Sequence, residues 1–399
     1  MAINGANPEY LSPQPIAFGK IRELRAVRQF DVLLFAAVLI NAAVGAYYLN
    51  VALQAENIST GGTATMRTQM IAIIIGIAAA LLLSSIDYKY FRVPSYALYI
   101  VSVLLLVATS LWGWGGETKG NRNWLRAFGA SVQPSELAKI TFVVVSATFF
   151  ERIADKTAAR IDYAKLVFYA SLPIGLIVLQ KDTGTAIVFM FIFASMLFAS
   201  GIKYRYILML AGAAVASLPI LWMFVLRDLQ KMRIMTFLNP DLDTLNSGFQ
   251  VLQSKAAIGA GQLFGRELGD LGQARFVQVP EFLNDFIFTV IAEKTGFFGS
   301  AAFMLLIVFI LLRCYYIASK ARDRYGAFMV VGLASMLAFH YVENIGMCVG
   351  LLPVTGIPLP FVSSGGTAKV ANFVAIGIIL SVSMMREKVP PKRRAHPRL

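Results

Sequence analysis

Histidine and cysteine are scarce in this chain, and their scarcity excludes several kinds of site. The 399 residues include two cysteines and two histidines. Cys314 and Cys348 lie in or beside apolar segments, so the sequence offers neither a disulfide framework nor the ligand spacing of a zinc centre. His340 lies within an apolar run, and His396 lies near the end of the sequence. A histidine-based catalytic site and a haem-type electron carrier are therefore not expected.

Charged side chains are also few, at 15% of the residues against 57% hydrophobic residues. So little polar surface cannot cover a soluble domain of this size. Ten apolar segments can be drawn, each close to the roughly 20 residues that a transmembrane helix needs. They cover residues 30–52, 68–86, 94–113, 137–152, 164–180, 185–201, 204–226, 286–312, 327–351 and 367–385. The sequence therefore predicts an all-α polytopic membrane protein, a bundle of about ten transmembrane helices.

This pattern also predicts the domain organisation. An N-terminal segment, 1–29, precedes a membrane domain at 30–385, and a basic tail follows at 386–399. A large loop, 227–284, connects the seventh and eighth predicted helices.

The positive charge is concentrated on one side of the predicted bundle. With a cytoplasmic N-terminus, 22 of the 36 Lys and Arg residues fall in the cytoplasmic loops and tails. Short loops rich in Lys and Arg stay in the cytoplasm. The chain is therefore expected in the cytoplasmic (inner) membrane, with both termini cytoplasmic and the large loop outside. The net charge of +14 is then an orientation signal, and nucleic acid is not an expected partner.

The fourth predicted helix begins in the sequence Gln-Pro-Ser-Glu-Leu-Ala-Lys, residues 133–139. Ser135 is a suitable helix start, and Glu136 would lie in the first turn, where a carboxylate suits the helix dipole. Glu136 and Lys139 are three residues apart, so they share a helix face and can pair. The pair could simply anchor the helix, or it could hold a cation at the membrane surface to meet an anionic lipid head group.

A short outer turn at residues 180–185 has two interpretations. Asp182 and Thr183 could cap the sixth helix. Lys181 and Asp182 could instead line a polar cavity at the outer surface. The sequence periodicity does not decide between them.

Residues 352–366 contain three prolines and three glycines. Such a segment cannot form a regular helix. An irregular apolar segment is tolerated near lipid only where it is buried in protein or lines a cavity. We therefore predict a re-entrant loop that shapes a site. Glu343 and Asn344, late in the ninth helix, could face that interior or could have a structural role.

Asp285 is a lone carboxylate at the junction of the large loop and the apolar eighth segment. Ionisable groups near hydrocarbon are costly and by default mark functional sites. Asp285 could also be the N-cap of the eighth helix, a role that does not exclude catalysis.

Five of these stretches together resemble the SEDS family of cell-wall glycosyltransferases, the RodA and FtsW proteins. They occur in the family's order, from the fourth to the tenth predicted helix, and the family fold also has ten helices. The Ile258-Gly259-Ala260-Gly261 run is more similar to the RodA form than to the FtsW form. The matching stretches are residues 133–139, Asp182 with Gly184-Thr185, Gln253-Ser254 with Ile258-Gly259-x-Gly261, Pro280-Glu281 through Asp285-Phe286-Ile287-Phe288, and residues 351–361.

The resemblance implies a peptidoglycan glycosyltransferase that polymerises lipid II, a disaccharide-peptide on undecaprenyl pyrophosphate, for cell elongation and shape. Asp285 would be the catalytic base. No tightly bound cofactor is expected, although a divalent cation, Mg²⁺ or Mn²⁺, could bridge carboxylate and pyrophosphate. The implied partner is a class B penicillin-binding protein that acts as transpeptidase. The residues implied to contact substrate are Glu136, Lys139, Arg122, Arg126, Lys181, Asp182, Gln253, Ser254 and Ser363.

The chain departs from the family pattern at several of these positions. Leu283-Asn284 replaces the His-Thr before the aspartate, and Lys181 replaces the proline before Asp182. Asn123 stands where the family has an arginine just before the loop tryptophan. The final Ser-Tyr-Gly-Gly is here residues 363–366, Ser-Ser-Gly-Gly. These differences leave the shape of the acceptor pocket open.

Other functions remain open at this stage. A lipid II flippase or transporter would need a continuous polar path through the bundle. Its candidate charges are few, namely Glu293, Lys294, Glu343 and Lys369. The chain could also be the division polymerase of FtsW type, or a scaffold for a synthase partner, in which case Asp285 would be dispensable.

Overall fold

The chain is almost entirely helical in the residues that the computed structural model describes. These are residues 29–55, 61–114, 123–127, 130–220, 222–223, 226, 228–239, 243, 247–266 and 275–386. The α-helices in them are α1 Val32–Ala55, α2 Gly61–Ser85, α3 Arg92–Trp112, α4 Pro134–Ala154, α5 Arg160–Leu179, α6 Thr183–Ala199, α7 Tyr204–Ile220, α8 Asp228–Leu238, α9 Ser247–Ala260, α10 Ile287–Ser319, α11 Arg324–Cys348 and α12 Gly366–Met384. Short 3₁₀-helices lie at Tyr88–Phe91 and Arg275–Gln278, and two strands, β1 Leu125–Ala127 and β2 Ala130–Val132, pair antiparallel.

Each of the ten predicted apolar segments coincides with a helix, which confirms a polytopic helical membrane protein. Seven helices in the described ranges are long and apolar enough to cross a membrane, namely α1, α2, α3, α5, α10, α11 and α12. The other three fall short for local reasons: α6 and α7 have 17 residues each, and α4 carries charged residues near both ends.

The region 227–284 contains regular structure that the sequence did not reveal. Helices α8 and α9 and the second 3₁₀-helix lie within it. The β1–β2 hairpin, between α3 and α4, was likewise not predicted. Both regions are polar and their helices and strands are short, so neither contains a long apolar run from which regular structure could be predicted.

Helices α11 and α12 form the centre of the bundle. In each, 72% of the most apolar window is buried, against 28–39% for the other five spanning helices. Small residues allow α12 to approach α2 closely, since a Cβ at Gly377 would lie 2.8 Å from Ala80 Cα. Such small-residue contacts are typical of helix packing in membranes.

Helix α10 is broken at Gly296, where φ is +64° and ψ is −161°. Residues 287–294 before the break are buried in protein, whereas Phe297 and Leu305 after it are more than half exposed. The turn after α9 takes up the freed backbone donors: Phe297 N donates to Gln262 O at 2.8 Å, and Phe298 N donates to Leu263 O at 3.1 Å. The lipid-facing part of α10 therefore begins near residue 297, later than the predicted start at 286.

Two glycines of the Ile-Gly-Ala-Gly run should respond very differently to alanine. A Cβ at Gly261 would lie 2.3 Å from the Ala292 carbonyl oxygen, whereas nothing lies within 4 Å of a Cβ at Gly259. Gly261→Ala should therefore cost roughly 1–3 kcal/mol through overpacking. Gly259→Ala, the matched control within α9, should be neutral or slightly stabilising. Melting temperatures of the two variants in detergent would measure this, and equal values would contradict the packing.

Both ends of the described chain meet at one end of the bundle. Asp31, just before α1, is buried and accepts a hydrogen bond from Arg313 Nη2 at 2.5 Å. Arg386, just after α12, lies 3.7 Å from the same carboxylate and donates to Gln29 O at 3.1 Å. The start of α1 and the end of α12 thus lie on the same side, as an even number of crossings requires. Which side this is stays a prediction from the charge pattern.

Candidate active site

Asp285 lies in the turn, residues 281–286, that precedes α10, and its side chain is half-buried. Asn344 Nδ2, on α11, donates to the Asp285 carbonyl at 2.7 Å and to the Ile357 carbonyl at 2.8 Å. Helix α10 begins at Ile287, its cap position is Phe286, and no side-chain hydrogen bond caps it. Asp285 therefore does not occupy the cap position, and Asn344 fixes its backbone instead.

The proline- and glycine-rich segment packs on this turn. It is irregular and largely buried, as the sequence predicts, with Ile357, Leu359 and Phe361 almost completely enclosed. Gly356 has φ +81°, and a Cβ there would lie 3.2 Å from Asp285 Oδ2. The glycine backbone therefore lies directly against the carboxylate, and a larger residue would press on it.

Thr355 connects the same segment to two helices. Its hydroxyl donates a hydrogen bond to the Glu343 carboxylate of α11. A Cβ at Gly184, in the first turn of α6, would lie 3.2 Å from Thr355 Cβ. The Asp-x-Gly-Thr motif thus places the start of α6 against the loop that contacts Asp285.

Asp182 caps α6, which is one of the two roles expected for it. Its Oδ1 accepts from Thr185 N at 3.1 Å, and its Oδ2 accepts from Asn123 Nδ2 at 2.9 Å. The second bond ties the loop before α4 to the start of α6. Lys181 has φ +65° and an exposed side chain at the same surface.

A cavity of about 260 Å³ opens between α8, α9 and the proline-rich segment. Arg233 of α8 and Lys255 of α9 line it, opposite Leu352, Pro353 and Val354. Thr355 and Gly356 follow these wall residues in sequence, and Gly356 is the residue that lies against the Asp285 carboxylate. Neither cation was selected from the sequence, because the helices that carry them were not recognised.

Glu136 and Lys139 form a buried ion pair. Lys139 Nζ lies 2.8 Å from Glu136 Oε1 and 2.9 Å from His340 Nε2. The side chains of Lys139 and Glu136 are 1% and 5% exposed. The predicted pairing is thus present, with His340 of α11 as a third member that the sequence did not suggest. His340 lies one helical turn before Glu343, so the cluster is linked to the Asp285 region through α11.

Two other predicted contact residues, Ser254 and Ser363, are buried. Ser254 is fully buried, and its hydroxyl contacts Thr289 Oγ1 at 2.6 Å and donates to Cys348 O at 2.8 Å. This gives Ser254 a packing role, since its hydroxyl is occupied inside the protein. Ser363 Oγ accepts from Leu359 N at 2.8 Å and thereby stabilises the turn of the proline-rich segment.

The remaining predicted residues are more accessible. Gln253 is half-buried on α9. Arg126 is exposed on β1, with its guanidinium 4.1 Å from the centre of the Trp114 ring. Arg122 lies outside the described residues. A role for any of the three in binding substrate stays a prediction.

Two of the intramembrane charges considered for a transport path hold the fold together. Glu293 accepts from Arg275 N at 2.9 Å and from Phe276 N at 2.8 Å, and so anchors the end of the large loop. Lys369 Nζ donates to Gln69 Oε1 at 2.8 Å between α12 and α2. These contacts give both side chains a structural explanation.

The chain is similar to proteins of known families over most of its length. The family model described as "Cell cycle protein", which covers FtsW, RodA and SpoVE, matches residues 30–388. A relative named "Probable peptidoglycan glycosyltransferase FtsW" from Geobacter metallireducens is 32% identical over 371 residues, 92% of this chain and 98% of the relative. "Peptidoglycan glycosyltransferase MrdB" from Escherichia coli K12 is 34% identical over 316 residues, 79% of this chain and 84% of the relative.

A solved structure has the same fold. It is described as "Structural coordination of polymerization and crosslinking by a peptidoglycan synthase complex". The matching chain is 27% identical with a TM-score of 0.73, and the match covers 89% of this chain and 97% of the other. By its family match and its full-length relatives, this chain belongs to the SEDS family of FtsW, RodA and SpoVE proteins, as the five motifs indicated.

Proposed function

We propose that this chain is a peptidoglycan glycosyltransferase that polymerises lipid II at the outer face of the cytoplasmic membrane. The observation that carries the proposal is the position of the Asp285 carboxylate against Gly356, where the wall of the cation-lined cavity ends. Glycan polymerisation needs a base for the acceptor hydroxyl and positive charge for the departing pyrophosphate. Asp285 supplies the carboxylate, and Arg233 and Lys255 supply positive charge in the cavity whose wall leads in sequence to Gly356.

The chemistry assigned to these groups is one displacement. Asp285 takes the proton from the acceptor sugar hydroxyl as that oxygen attacks the anomeric carbon of the donor. The glycosidic C–O bond forms while the bond from the anomeric carbon to the pyrophosphate oxygen breaks. The lipid pyrophosphate leaves with the electron pair, and Arg233 and Lys255 stabilise its charge. Lys139 is buried in its pair with Glu136, so we assign it a positioning role.

Purified protein supplied with lipid II tests this function directly. We expect glycan strands, resolved by length on a gel. Movement of labelled lipid II across vesicles without any polymer would favour a flippase instead. A scaffold would show neither reaction.

The two cavity cations should be needed for substrate use. Arg233→Gln and Lys255→Gln should each lower polymerisation at limiting lipid II about 10- to 100-fold, because a hydrogen bond to a charged group contributes about 1.5–3 kcal/mol. The effect should fall mainly on KM if the cations bind ground-state pyrophosphate, and mainly on kcat if they act on the leaving group. Lys231→Gln, on the same helix but outside the cavity lining, is the control. Unchanged kinetics in both cavity variants would remove this cavity from the proposal.

We propose a class B penicillin-binding protein as transpeptidase partner, supported by the similarity to a chain of a peptidoglycan synthase complex. A role in elongation rests on the RodA-like Ile258–Gly261 run alone. The FtsW and MrdB relatives have nearly the same sequence identity to this chain, 32% and 34%, so sequence identity does not separate the two roles. Purification of the native complex would identify the partner and with it the role.

A further inference from the structure

A second cavity, of about 250 Å³, lies at the end of α11 opposite to the Asp285 contact and has no part in the proposed displacement. Four charged side chains from three parts of the chain line it. They are Lys89 and Arg92 before and at the start of α3, Glu151 near the end of α4, and Asp323, the N-cap of α11. Two cations and two carboxylates leave this lining without net charge. The cavity therefore suits a ligand that carries both signs of charge.

The ion pairs across the cavity leave hydrogen-bonding capacity on both signs of charge. Arg92 Nη2 donates to Glu151 Oε2 at 2.5 Å, which uses one of the five N–H groups of the guanidinium. Lys89 Nζ, with three N–H groups, lies 3.3 Å from Asp323 Oδ2. Both oxygens of Asp323 are occupied, since Oδ1 caps α11 and Oδ2 also accepts from Tyr88 Oη at 2.8 Å. Glu151 Oε1 is thus the carboxylate oxygen that a cationic group can bind.

A buried hydroxyl lies directly behind this lining. Tyr325, in the first turn of α11, is fully buried, and its Oη has no hydrogen-bond partner among the described residues. The guanidinium of Arg92 covers its ring, 4.3 Å from the ring centre. A buried hydroxyl without a hydrogen bond is unfavourable. A polar group that enters the cavity beside Arg92 would offset that cost.

The cavity lies where a spanning helix leaves the hydrocarbon layer. Lys89 and Arg92 are at the start of the apolar span Tyr88–Trp112. Their neighbours Tyr90 and Val93 are 72% and 83% exposed, so apolar surface borders the charged lining. Basic and aromatic side chains at the end of a span mark the boundary between lipid and water. The cavity is therefore at the level of phospholipid head groups.

We propose that this cavity binds a phospholipid whose head group carries a primary ammonium beside its phosphate diester, as in phosphatidylethanolamine. The ammonium would donate to Glu151 Oε1, and the phosphate would accept from Lys89 and the remaining N–H groups of Arg92. The nitrogen of phosphatidylcholine has no N–H to donate, and phosphatidylglycerol has no cation for the carboxylate. The site lies in the leaflet opposite to the proposed active site, and its occupancy does not depend on the proposed function.

Native mass spectrometry of the full-length chain tests this site. The chain, delipidated in a neutral detergent, is titrated with phosphatidylethanolamine, phosphatidylcholine and phosphatidylglycerol of identical acyl chains. We expect one site that binds phosphatidylethanolamine at least about tenfold more tightly than phosphatidylcholine, the lower end for a hydrogen bond between charged groups. Phosphoethanolamine without acyl chains should compete weakly, because it buries no apolar surface beside Tyr90 and Val93.

Glu151→Gln should reverse the lipid preference. Without this carboxylate the lining carries one net positive charge, so the variant should bind phosphatidylglycerol more tightly than phosphatidylethanolamine. Asp155→Asn is the matched control, because it removes one carboxylate at the same end of the bundle but outside the lining. Asp155 pairs with Arg324 at 3.0 Å, and both side chains are about half exposed. This control should keep the preference for phosphatidylethanolamine.

Two results would overturn the proposal: equal affinity of the unmodified chain for phosphatidylethanolamine and phosphatidylcholine, or an unchanged order of preference in a folded Glu151→Gln variant. The melting temperature shows whether the variant is folded. If it is not, the half-exposed Lys89 tests the same site: Lys89→Gln should weaken phosphatidylethanolamine binding about tenfold, and unchanged binding would reject the site. Phosphoethanolamine that competes as strongly as the lipid would assign the cavity to a soluble ligand and overturn the lipid.

Discussion

Asp285→Asn should lower glycan polymerisation at least about 100-fold, the usual minimum contribution of a general base. Asparagine has nearly the same shape as aspartate but cannot take the proton from the acceptor hydroxyl. Asn344 Nδ2 donates to the backbone carbonyl of residue 285 at 2.7 Å, and the substitution leaves this contact in place. Polymer length and yield from purified variant and lipid II would measure the effect, and the melting temperature would report the fold.

Asp155→Asn is the suitable control. Asp155 follows α4 and pairs with Arg324, which begins α11 at the opposite end from Asn344. Its exposed pair with Arg324 should contribute at most about 1 kcal/mol, and polymer yield should not change. Near-normal polymer from a folded Asp285→Asn protein would reject Asp285 as the base.

Breaking the pair between Glu136 and Lys139 should have the largest effect on stability. Both side chains are almost fully buried, so removing one leaves a charge without its partner in a medium of low polarity. Loss of one member of a buried pair costs about 3–5 kcal/mol. Glu136→Gln and Lys139→Met should therefore each lower the melting temperature strongly, with a parallel loss of polymer.

The double variants distinguish a coupled unit from two independent residues. Glu136→Gln combined with Lys139→Met should be more stable than the sum of the single losses predicts. The charge-swapped pair, Glu136→Lys with Lys139→Glu, should recover part of the activity. Recovery should be incomplete because His340 Nε2, 2.9 Å from Lys139 Nζ, would then face a carboxylate. Strictly additive losses would show that the two residues act separately.

The sequence predicted most of the fold because long apolar runs have few structural alternatives. Ten helices coincide with ten such runs, and the proline-rich segment is irregular and buried as expected. The motif residues Glu136 and Lys139 form the predicted pair. Each of these predictions rests on a local feature of the sequence. The length of an apolar run predicts a helix, prolines predict an irregular segment, and an i,i+3 spacing predicts an ion pair.

The parts that could not be predicted depend on contacts between distant residues. Arg233 and Lys255 lie on short helices within a polar loop, and they meet only because that loop folds over residues 350–354. His340 was set aside as an apolar-segment residue, yet it contacts Lys139 across 201 positions of sequence. The break in α10 was missed because Gly296 lies in an otherwise continuous apolar run. Its conformation is explained by the turn after α9, which packs on it from outside the helix.

That break divides α10 into two parts with different surroundings. The 23 residues after Gly296, about 34 Å long, are sufficient by themselves to cross the hydrocarbon layer. The segment before it, buried over residues 287–294, follows directly from the turn that contains Asp285. Lipid thickness acts on a helix through its tilt. In α10 that tilt can be absorbed at a single glycine, so a thicker or thinner bilayer can reorient the lipid-facing part of the helix while Asp285 keeps its contact with Asn344.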